Sequence, residues 1–572
     1  FSKSRSGKCW SARNRYGSAA DWLGLGAALV WAVHPLQTQC VDYIVQRAES
    51  LMGLFYFCTV YCALRGAAGG RSGAWSALAV ASCALGMGSK AVIATAPVMV
   101  LLYDKVFLAG SFGAALRRRW GMYLGLAATW FLLPAFAAGA PSLAEHGAGF
   151  GFKGVPPLQY ALTQPGVILR YLKLSLWPSD LTLDYGWTVA HSWTEIAPPL
   201  IVIGLLLAAT LWAFRRRPAL GFLGAWFFIT LAPTSSFIPL ADLAFEHRMY
   251  LALAAPAVLF VLGVWEAARR KVSVFLAAMA LVTAALASAT FARNRDYAGE
   301  CTMWKDAAAK RPENARAHNN LGKALSEMGR DAEAEDHYRE AVRLMPWVAE
   351  THDNLGGVLV RLGRVEEALP EYYEALRLKP AFAKGRVNLG SALGLLGKRE
   401  EALKHFQEAL RIDPKAGDAQ YNLGVYWADK GDTNLAMMYY TEAVSKKPAH
   451  ASAHNNLASL LAKQGKTKEA TMHYAEAVRW KPDYAEAHSN FATVLADLGK
   501  WEEAVSHCRE ALRLKPDFAE AHNNWGMILG KQGRMREAME HFAEALRLKP
   551  DYAAARQNMA LAGQLLDKQD QR

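Results

Sequence analysis

Long apolar stretches alternate with short polar segments over the first half of the chain. The stretches lie at about residues 17–33, 50–64, 74–88, 91–104, 120–138, 197–214, 219–233, 249–266 and 272–291. A helix that crosses a bilayer needs roughly 20 mostly apolar residues. The pattern therefore predicts an all-α polytopic membrane helix bundle of about nine spans over residues 1–291. The segment at 166–178 is short and basic, which is typical of an interfacial or re-entrant helix.

Charge is unevenly distributed between the two halves of the chain. Residues 1–291 carry 23 Lys and Arg against 11 Asp and Glu, whereas the remaining residues are nearly neutral. The basic residues concentrate in alternate connecting segments, as the positive-inside rule requires. This distribution places the N-terminus inside and lets the chain leave the membrane on the outer face. It argues against a nucleic-acid-binding surface.

A different pattern governs the second half, where prolines recur every 34 residues from Pro312 to Pro550. Two alanine slots, an aromatic slot and a glycine slot repeat in phase. Small residues let paired helices approach, glycine ends the first helix and proline ends the second. This is the signature of the tetratricopeptide repeat (TPR), an α-solenoid. We assign residues 292–314 to a connecting half-repeat, 315–564 to seven repeats plus a capping helix, and 565–572 to a polar tail.

One slot of the repeat holds asparagine every time. We call it the asparagine ladder: Asn320, Asn354, Asn388, Asn422, Asn456, Asn490, Asn524 and Asn558. In TPR geometry this slot faces the concave groove, where side-chain amides can bind the backbone of an extended peptide. A similar ladder holds substrate peptide in the TPR domain of O-GlcNAc transferase, which this slot resembles. The alternative is that asparagine serves the repeat structure alone.

The remaining chemistry-bearing residues give little sign of a metal or nucleotide site. Ten of the 15 histidines fall in two repeat slots, and no zinc-ligand spacing occurs. The glycines of the repeats do not form a phosphate-binding loop. We therefore expect no metal and no cofactor.

Two polar clusters lie on the predicted outer face of the membrane half, at residues 34–50 and 237–254. Ionisable groups near a bilayer are costly and often functional. Arginine and histidine suit a lipid-linked phosphate, and a carboxylate suits a hydroxyl acceptor. The alternative is that these residues form ion pairs that anchor helix ends. The candidates in and near the clusters are His34, Asp42, Arg47, Glu49, Lys90, Arg170, Asp184, Glu246, His247 and Arg248.

Four segments carry a resemblance to a known family: residues 33–57, 86–104, 162–187 and 237–254, of which the last reads FIPLADLAFEHRMYLALA. Followed by TPRs, they resemble the transmembrane-and-TPR-containing (TMTC) protein O-mannosyltransferases, and more closely their bacterial relatives. The resemblance implies a GT-C membrane fold that transfers a mannose-type sugar from a polyprenyl-phosphate donor to Ser or Thr hydroxyls. The donor is a substrate, and the TPR groove would recruit the acceptor polypeptide.

The resemblance also implies that the catalytic carboxylate lies upstream of Phe1, in a first outer loop, so that the bundle is N-terminally truncated. The expected chain is a multi-pass protein of a bacterial inner membrane with periplasmic repeats, or of the endoplasmic reticulum with lumenal repeats. Two alternatives remain open. One is a non-catalytic, membrane-anchored TPR scaffold, and the other is an oligosaccharyltransferase of the O-antigen-ligase type.

Overall fold

A computed structural model describes residues 19–42, 47–68, 72–134, 155–236, 240 and 242–570. These residues form helices joined by turns and loops, with no β-sheet among them, which confirms the all-α prediction. Contacts divide the chain into two compact units, an N-terminal unit at Phe1–Gly329 and a C-terminal unit at Arg330–Arg572. The predicted domain boundaries at residues 291 and 315 rest on composition and repeat period, which this division does not test.

The N-terminal unit holds the apolar helices, and a helix occurs in each of the nine predicted apolar stretches. The helices are α1 Ala19–Val33, α2 Thr38–Asp42, α3 Arg47–Ala67, α4 Ser72–Met87, α5 Ala96–Tyr103, α6 Phe112–Ala128, α7 Pro157–Leu176, α8 Trp193–Arg216, α9 Pro218–Leu231, α10 Met249–Ala252, α11 Ala254–Ala267 and α12 Val272–Asn294. Two further helices, α13 Glu300–Lys310 and α14 Ala315–Glu327, belong to the same unit.

Fewer helices than nine are both long and apolar enough to cross a membrane. Within the described residues the test is met by Ala48–Ala67, Ala91–Ala109, Trp193–Arg216 and Val272–Tyr297. A fifth span results if Glu246–Ala252 and Ala254–Ala267, which meet at a 60° bend, count as one. α1, α4 and α9 are apolar but shorter. The helices thus support four or five spans, and the other predicted spans stay predictions.

The core of the N-terminal unit is built from aromatic and aliphatic side chains of α3 to α9. Tyr56, Tyr171 and Leu126 are fully enclosed. Trp226 packs edge-on against Tyr56, with ring centroids 5.5 Å apart. Such edge-to-face aromatic pairs add to the gain from burial alone. This core holds in place the helices that flank the two polar clusters at residues 34–50 and 237–254.

The C-terminal unit is a series of antiparallel helix pairs with the predicted period. It comprises α15 Asp331–Leu344, α16 Ala349–Arg361, α17 Val365–Leu378, α18 Ala383–Leu395, α19 Arg399–Ile412, α20 Gly417–Asp429, α21 Thr433–Lys446, α22 Ala451–Lys463, α23 Thr467–Trp480, α24 Ala485–Asp497, α25 Trp501–Leu514, α26 Ala519–Lys531, α27 Met535–Leu548 and α28 Ala553–Asp570. The glycine after each first helix has φ between 75° and 82°, the left-handed conformation that ends a helix. The phased alanines are buried, so each helix pair packs closely.

Candidate functional site

The asparagine ladder lies where the repeat period predicts. Seven of its members belong to the C-terminal unit, on the first helix of each pair and on α28, and all seven side chains are half-buried. Asn320 occupies the same slot on α14 of the N-terminal unit. A half-buried amide has one side fixed by protein and one side open to a ligand.

The fixed side of each amide is tied to the preceding repeat. Nδ2 of Asn388 donates to Oδ1 of Asp353 at 2.8 Å, and Nδ2 of Asn524 donates to Oγ of Ser489 at 3.0 Å. Nδ2 of Asn558 donates to Oδ1 of Asn523 at 3.0 Å. In these three cases, and for Asn490 with Asn455, the acceptor precedes the previous ladder asparagine by one residue. Asn422 and Asn456 donate instead to Ser391 and Tyr440. These bonds join neighbouring repeats.

The oxygen side of the ladder offers hydrogen-bond acceptors. Oδ1 of Asn388, Asn490, Asn524 and Asn558 accepts no hydrogen bond from any other residue in the described part of the chain. A bound peptide has one N–H donor per residue apart from proline. The ladder therefore presents oriented acceptors that match the backbone of an extended chain.

The acceptor beside the ladder was missed from the sequence. It is Asp353, Asn455, Ser489 or Asn523, each buried and directly before a ladder asparagine. In two repeats the same position holds Val387 or Tyr421. A polar residue next to a phased asparagine was a visible signal, but only the spatial offset of one repeat shows its use.

Charged side chains along the first helices pair locally and do not form a field of one sign. Lys379 lies 2.6 Å from Glu350, and Lys549 lies 3.2 Å from Glu520. The hydrogen bond from His450, with help from Lys447, lowers the pKa of Asp418 to about 2. These pairs leave little net charge, so they do not select for a strongly acidic or basic peptide.

Glu246, a candidate from the second membrane-face cluster, is fully buried in the N-terminal unit. Its Oε1 accepts from the Tyr185 hydroxyl at 2.9 Å and from the Thr182 backbone N–H at 2.8 Å. Arg293 lies 3.8 Å away, while Oε2 has no hydrogen-bond partner among the described residues. A buried carboxylate held this way joins α12 to the loop that follows α7.

Arg248, His247 and His34 also have internal partners. The Arg248 guanidinium donates to the backbone carbonyls of Thr234 and Leu243 at 3.0 and 2.9 Å, and to the Asp242 carbonyl. His247 approaches the Gln39 amide oxygen through its backbone N–H at 2.8 Å and its ring Nδ1 at 3.3 Å. His34 caps the short helix that follows it by accepting from the Leu36 N–H at 3.2 Å.

Lys90 pairs with Glu49 at 3.2 Å, and about a third of its side chain is exposed. Ser50, which follows Glu49 in the chain, lines an apolar groove of about 390 Å³ together with aromatic residues such as Trp31, Phe57 and Tyr250. The structure thus brings Glu49 and Lys90 together. The side chains of Asp42 and Arg47 lie outside the described residues.

Arg170 and Asp184 take part in a contact that the sequence did not reveal. Arg170 pairs with Asp180 at 3.0 Å, and Asp180 also pairs with Arg311 at 2.6 Å. Arg316 pairs with Asp184 at 2.5 Å and with Asp242. The loop after α7 therefore holds α13 and α14 by ion pairs, and we call this contact the acidic loop clasp. Its members are far apart in sequence, so no local motif marks them.

Burial and neighbouring groups shift the pKa values of three side chains in this region. Burial alone would raise the pKa of Asp184, but the hydrogen bond and charge of Arg316 hold it below its usual value. Burial lowers the pKa of His34 to about 4, against a smaller effect of the Ser175 backbone. Burial and the nearby Glu246 raise the pKa of Tyr185. Asp184 is thus an anion and His34 a neutral ring at neutral pH.

Comparison with known proteins identifies the repeat region. Tetratricopeptide repeat models match residues 347–415, residues 387–446 and 489–553, residues 315–346, and residues 451–484. The C-terminal TPR prediction is therefore confirmed. No curated protein matches the chain, and the resemblance of residues 33–254 to O-mannosyltransferases stays a prediction.

Several solved TPR structures are similar to part of this chain. A thermophilic TPR protein of Thermus thermophilus is 26% identical over 32% of this chain and 98% of its own length, with a TM-score of 0.27. YrrB, described as a TPR protein with an unusual peptide-binding site, is 24% identical over 32% and 95%, with a TM-score of 0.29. The pilF protein of Pseudomonas aeruginosa is 22% identical over 37% and 96%, with a TM-score of 0.33.

Proposed function

We propose that the chain is a membrane-anchored scaffold whose TPR groove binds an extended polypeptide through its backbone. The asparagine ladder carries this proposal, because the preceding repeat orients the amides of Asn388, Asn524 and Asn558 and leaves their oxygens as acceptors for a ligand. Preorganised groups lose less conformational entropy when the ligand binds. The locally paired charges favour recognition that depends little on peptide sequence.

The experiment uses the full chain in detergent and a fluorescent, unstructured, Ser/Thr-rich peptide of low net charge. Each hydrogen bond contributes about 0.5–1.5 kcal/mol, or roughly two- to tenfold in affinity. We expect the pair Asn490→Ala and Asn524→Ala to weaken binding more than either change alone. Asn434→Ala is the matched control, because Asn434 is an exposed asparagine on the second helix α21, outside the ladder.

If the groove binds the peptide backbone, changes to the backbone of the same peptide should also weaken binding. Methylating alternate backbone nitrogens of the probe removes donors and keeps the side chains, so binding should fall as it does in the ladder variants. Scrambling the side-chain order should have little effect. Unchanged affinity in the ladder variants, or affinity that depends on the order of the peptide side chains, would show that the asparagine ladder does not bind the peptide backbone.

A second candidate function is transfer of a mannose-type sugar from a polyprenyl-phosphate donor to Ser or Thr of exported proteins. The observation that favours this function is the apolar groove lined in part by Ser50. The preceding residue, Glu49, pairs with Lys90, which is partly exposed. The groove suits an isoprenoid chain and Lys90 suits its phosphate. The ladder would then recruit the acceptor polypeptide on the periplasmic or lumenal side.

Membranes that contain the chain together with any residues encoded upstream of Phe1 test this candidate directly. In the reaction the bond from sugar C1 to the phosphate oxygen breaks and a bond from C1 to the acceptor hydroxyl oxygen forms, while the hydroxyl proton is released. Transfer of labelled sugar to the peptide that falls at least tenfold in Lys90→Ala, but not in Lys105→Ala, supports the assignment. Without transfer from any lipid-linked sugar, the scaffold function stands alone.

A further inference from the structure

In each of three consecutive repeats, two histidine rings lie in contact and are tilted by 35–38° to each other. Nδ1 of His454 lies 3.0 Å from Nδ1 of His473, and Nδ1 of His488 lies 2.8 Å from Nδ1 of His507. Nδ1 of His522 lies 3.1 Å from Nδ1 of His541. In each pair one ring is on the first helix of the repeat and the other is on the second. We call these three contacts the histidine pairs.

The outer nitrogen of the first ring is engaged by a backbone carbonyl. Nε2 of His454 and of His488 lies 3.1 Å from the carbonyl oxygen of Pro448 and Pro482, respectively. A neutral imidazole carries one N–H, and here Nε2 must bear it to donate to the carbonyl. Nδ1 of the first ring is therefore a lone pair aimed at its partner. Metal-bound histidines are oriented by the same kind of bond.

In two of the three histidine pairs, an aromatic side chain of the same repeat packs on the second ring. Phe491 packs on His507 with centroids 4.6 Å apart, and Trp525 stacks on His541 at 4.2 Å and 24°. The second rings are only half-buried. Two fixed imidazoles with an accessible edge form a preorganised chelate.

The distances select among metal geometries. With metal–nitrogen bonds of about 2.05 Å, two nitrogens at a 90° angle lie about 2.9 Å apart, and two at the tetrahedral angle lie about 3.3 Å apart. The three observed separations match the 90° arrangement of tetragonal Cu²⁺ or Ni²⁺, for which imidazole is a preferred ligand. No group of three His, Cys, Asp or Glu side chains among the described residues could enclose a metal, so water would complete the coordination.

We propose that each histidine pair is a bidentate site for Cu²⁺ or Ni²⁺, which gives three exchangeable sites in successive repeats. Binding requires the second ring to carry its proton on Nε2 and not on Nδ1, a tautomer change without net proton release. The bound ion would clamp the two helices of one repeat. The equivalent positions of the second, third and fourth repeats differ: His352 faces Glu371 at 2.6 Å, while the next two pairs of slots hold Arg386 with His405 and Gln420 with Tyr439.

The test measures Ni²⁺ retained by the full chain in detergent after equilibrium dialysis. The background is His337→Gln, because the two slots of the first repeat also hold His318 and His337. We expect three equivalents, falling to two in each of His473→Gln, His507→Gln and His541→Gln, and to none in the triple variant. Glutamine keeps an amide donor at the site. His405→Gln, a histidine in the same slot without a histidine opposite, should leave three.

Cu²⁺ supplies an independent readout of the ligand set. Its electron paramagnetic resonance spectrum should show coupling to two equatorial nitrogens, and the signal should disappear in the triple variant. Circular dichroism of that variant at neutral pH checks that the repeats remain folded. Uptake unchanged in a folded triple variant, or no uptake by the starting protein, overturns the proposal.

Discussion

At the scale of single residues, Asp353 is the acceptor on which one step of the asparagine ladder depends. Asp353 is 1% exposed, and its carboxylate accepts a hydrogen bond from the Asn388 amide at 2.8 Å. The same carboxylate forms an ion pair with Lys384 at 3.1 Å. Asp353→Ala leaves the half-buried Asn388 donor without its partner, which should lower the free energy of unfolding by about 1–3 kcal/mol. Urea titration followed by circular dichroism measures the loss. Lys384→Ala, on a mostly exposed side chain, should cost less than about 1 kcal/mol.

His541 gives the repeats a pH dependence with a defined sign. Burial and the charge of His522 lower its pKa to about 4, while Glu537 and Glu544 act in the opposite direction. The unfolded ring binds a proton near pH 6.5, so the unfolded state gains protons first as the pH falls. The contribution of His541 to the free energy of unfolding should be fully present above about pH 6.5 and should be lost progressively between about pH 6.5 and 4.

The size of this effect is modest because the ring is only half-buried. Solvent screening reduces the contribution to the order of 1 kcal/mol. Thermal melts at pH 7.5, 5.5 and 4.5 should show a fall in melting temperature that is smaller in His541→Gln, which lacks the titrating ring. A variant with the same pH profile as the starting protein would assign the dependence to other groups.

At the scale of elements, close packing between the two helices of a repeat depends on one small residue in the first helix. A Cβ atom on Gly424 would lie 2.6 Å from the Tyr440 ring, so an alanine there forces the helices apart. Gly424→Ala should destabilise the unit by about 1–3 kcal/mol through overpacking. The natural alanine Ala458 occupies the same slot opposite Tyr474, so Ala458→Gly is the reverse control and should cost about 1 kcal/mol through helix propensity. Urea titration compares the two.

The elements were largely predictable and their polar contacts were not. The 34-residue period determines the helix pairs, their glycine ends and the ladder, because each depends on residues close in sequence. The role of Arg248 was not predictable, since its partners are backbone carbonyls of a loop. The acidic loop clasp and the histidine pairs also escaped prediction, because they join residues that only the folded chain brings together.

The acidic loop clasp makes its own prediction for α13 and α14. Arg316→Ala leaves Asp184, which is 3% exposed, without its cation. Because the pKa of Asp184 is held low in the fold, this stabilisation is present above its ordinary pKa and is lost as the pH falls below it. At pH 7 the variant should expose the segment around residues 311–316 to limited proteolysis several-fold faster. Arg339→Ala, on an exposed pair elsewhere, should not.

At the scale of the whole molecule, we expect the long apolar helices and the clasp to share one membrane orientation. α8 ends at Arg215 and Arg216, followed by Arg217, and α12 begins just after Arg269, Arg270 and Lys271. If α8 and α12 span a membrane, the positive-inside rule predicts that both basic ends lie on the inner face. The opposite ends of α8 and α12 then share the outer face. The clasp requires this, because the loop before α8 contacts α13 and α14, which follow α12.

This orientation predicts which thiol a membrane-impermeant maleimide reaches in intact cells. Cys301 lies at the start of α13 and is partly exposed, whereas Cys40, Cys62, Cys83 and Cys508 are buried. Cys58 is also partly exposed, so the background carries both Cys9→Ser and Cys58→Ser, and Cys301 should then react from outside. Arg216→Cys in the additional absence of Cys301 should react only after the membrane is opened. No candidate span follows Tyr297 among the described residues, so labelling of Cys301 from outside would mean that the repeats also lie on the outer face. The reverse labelling pattern would place the asparagine ladder on the cytoplasmic side. Exported polypeptides would then be excluded as acceptors.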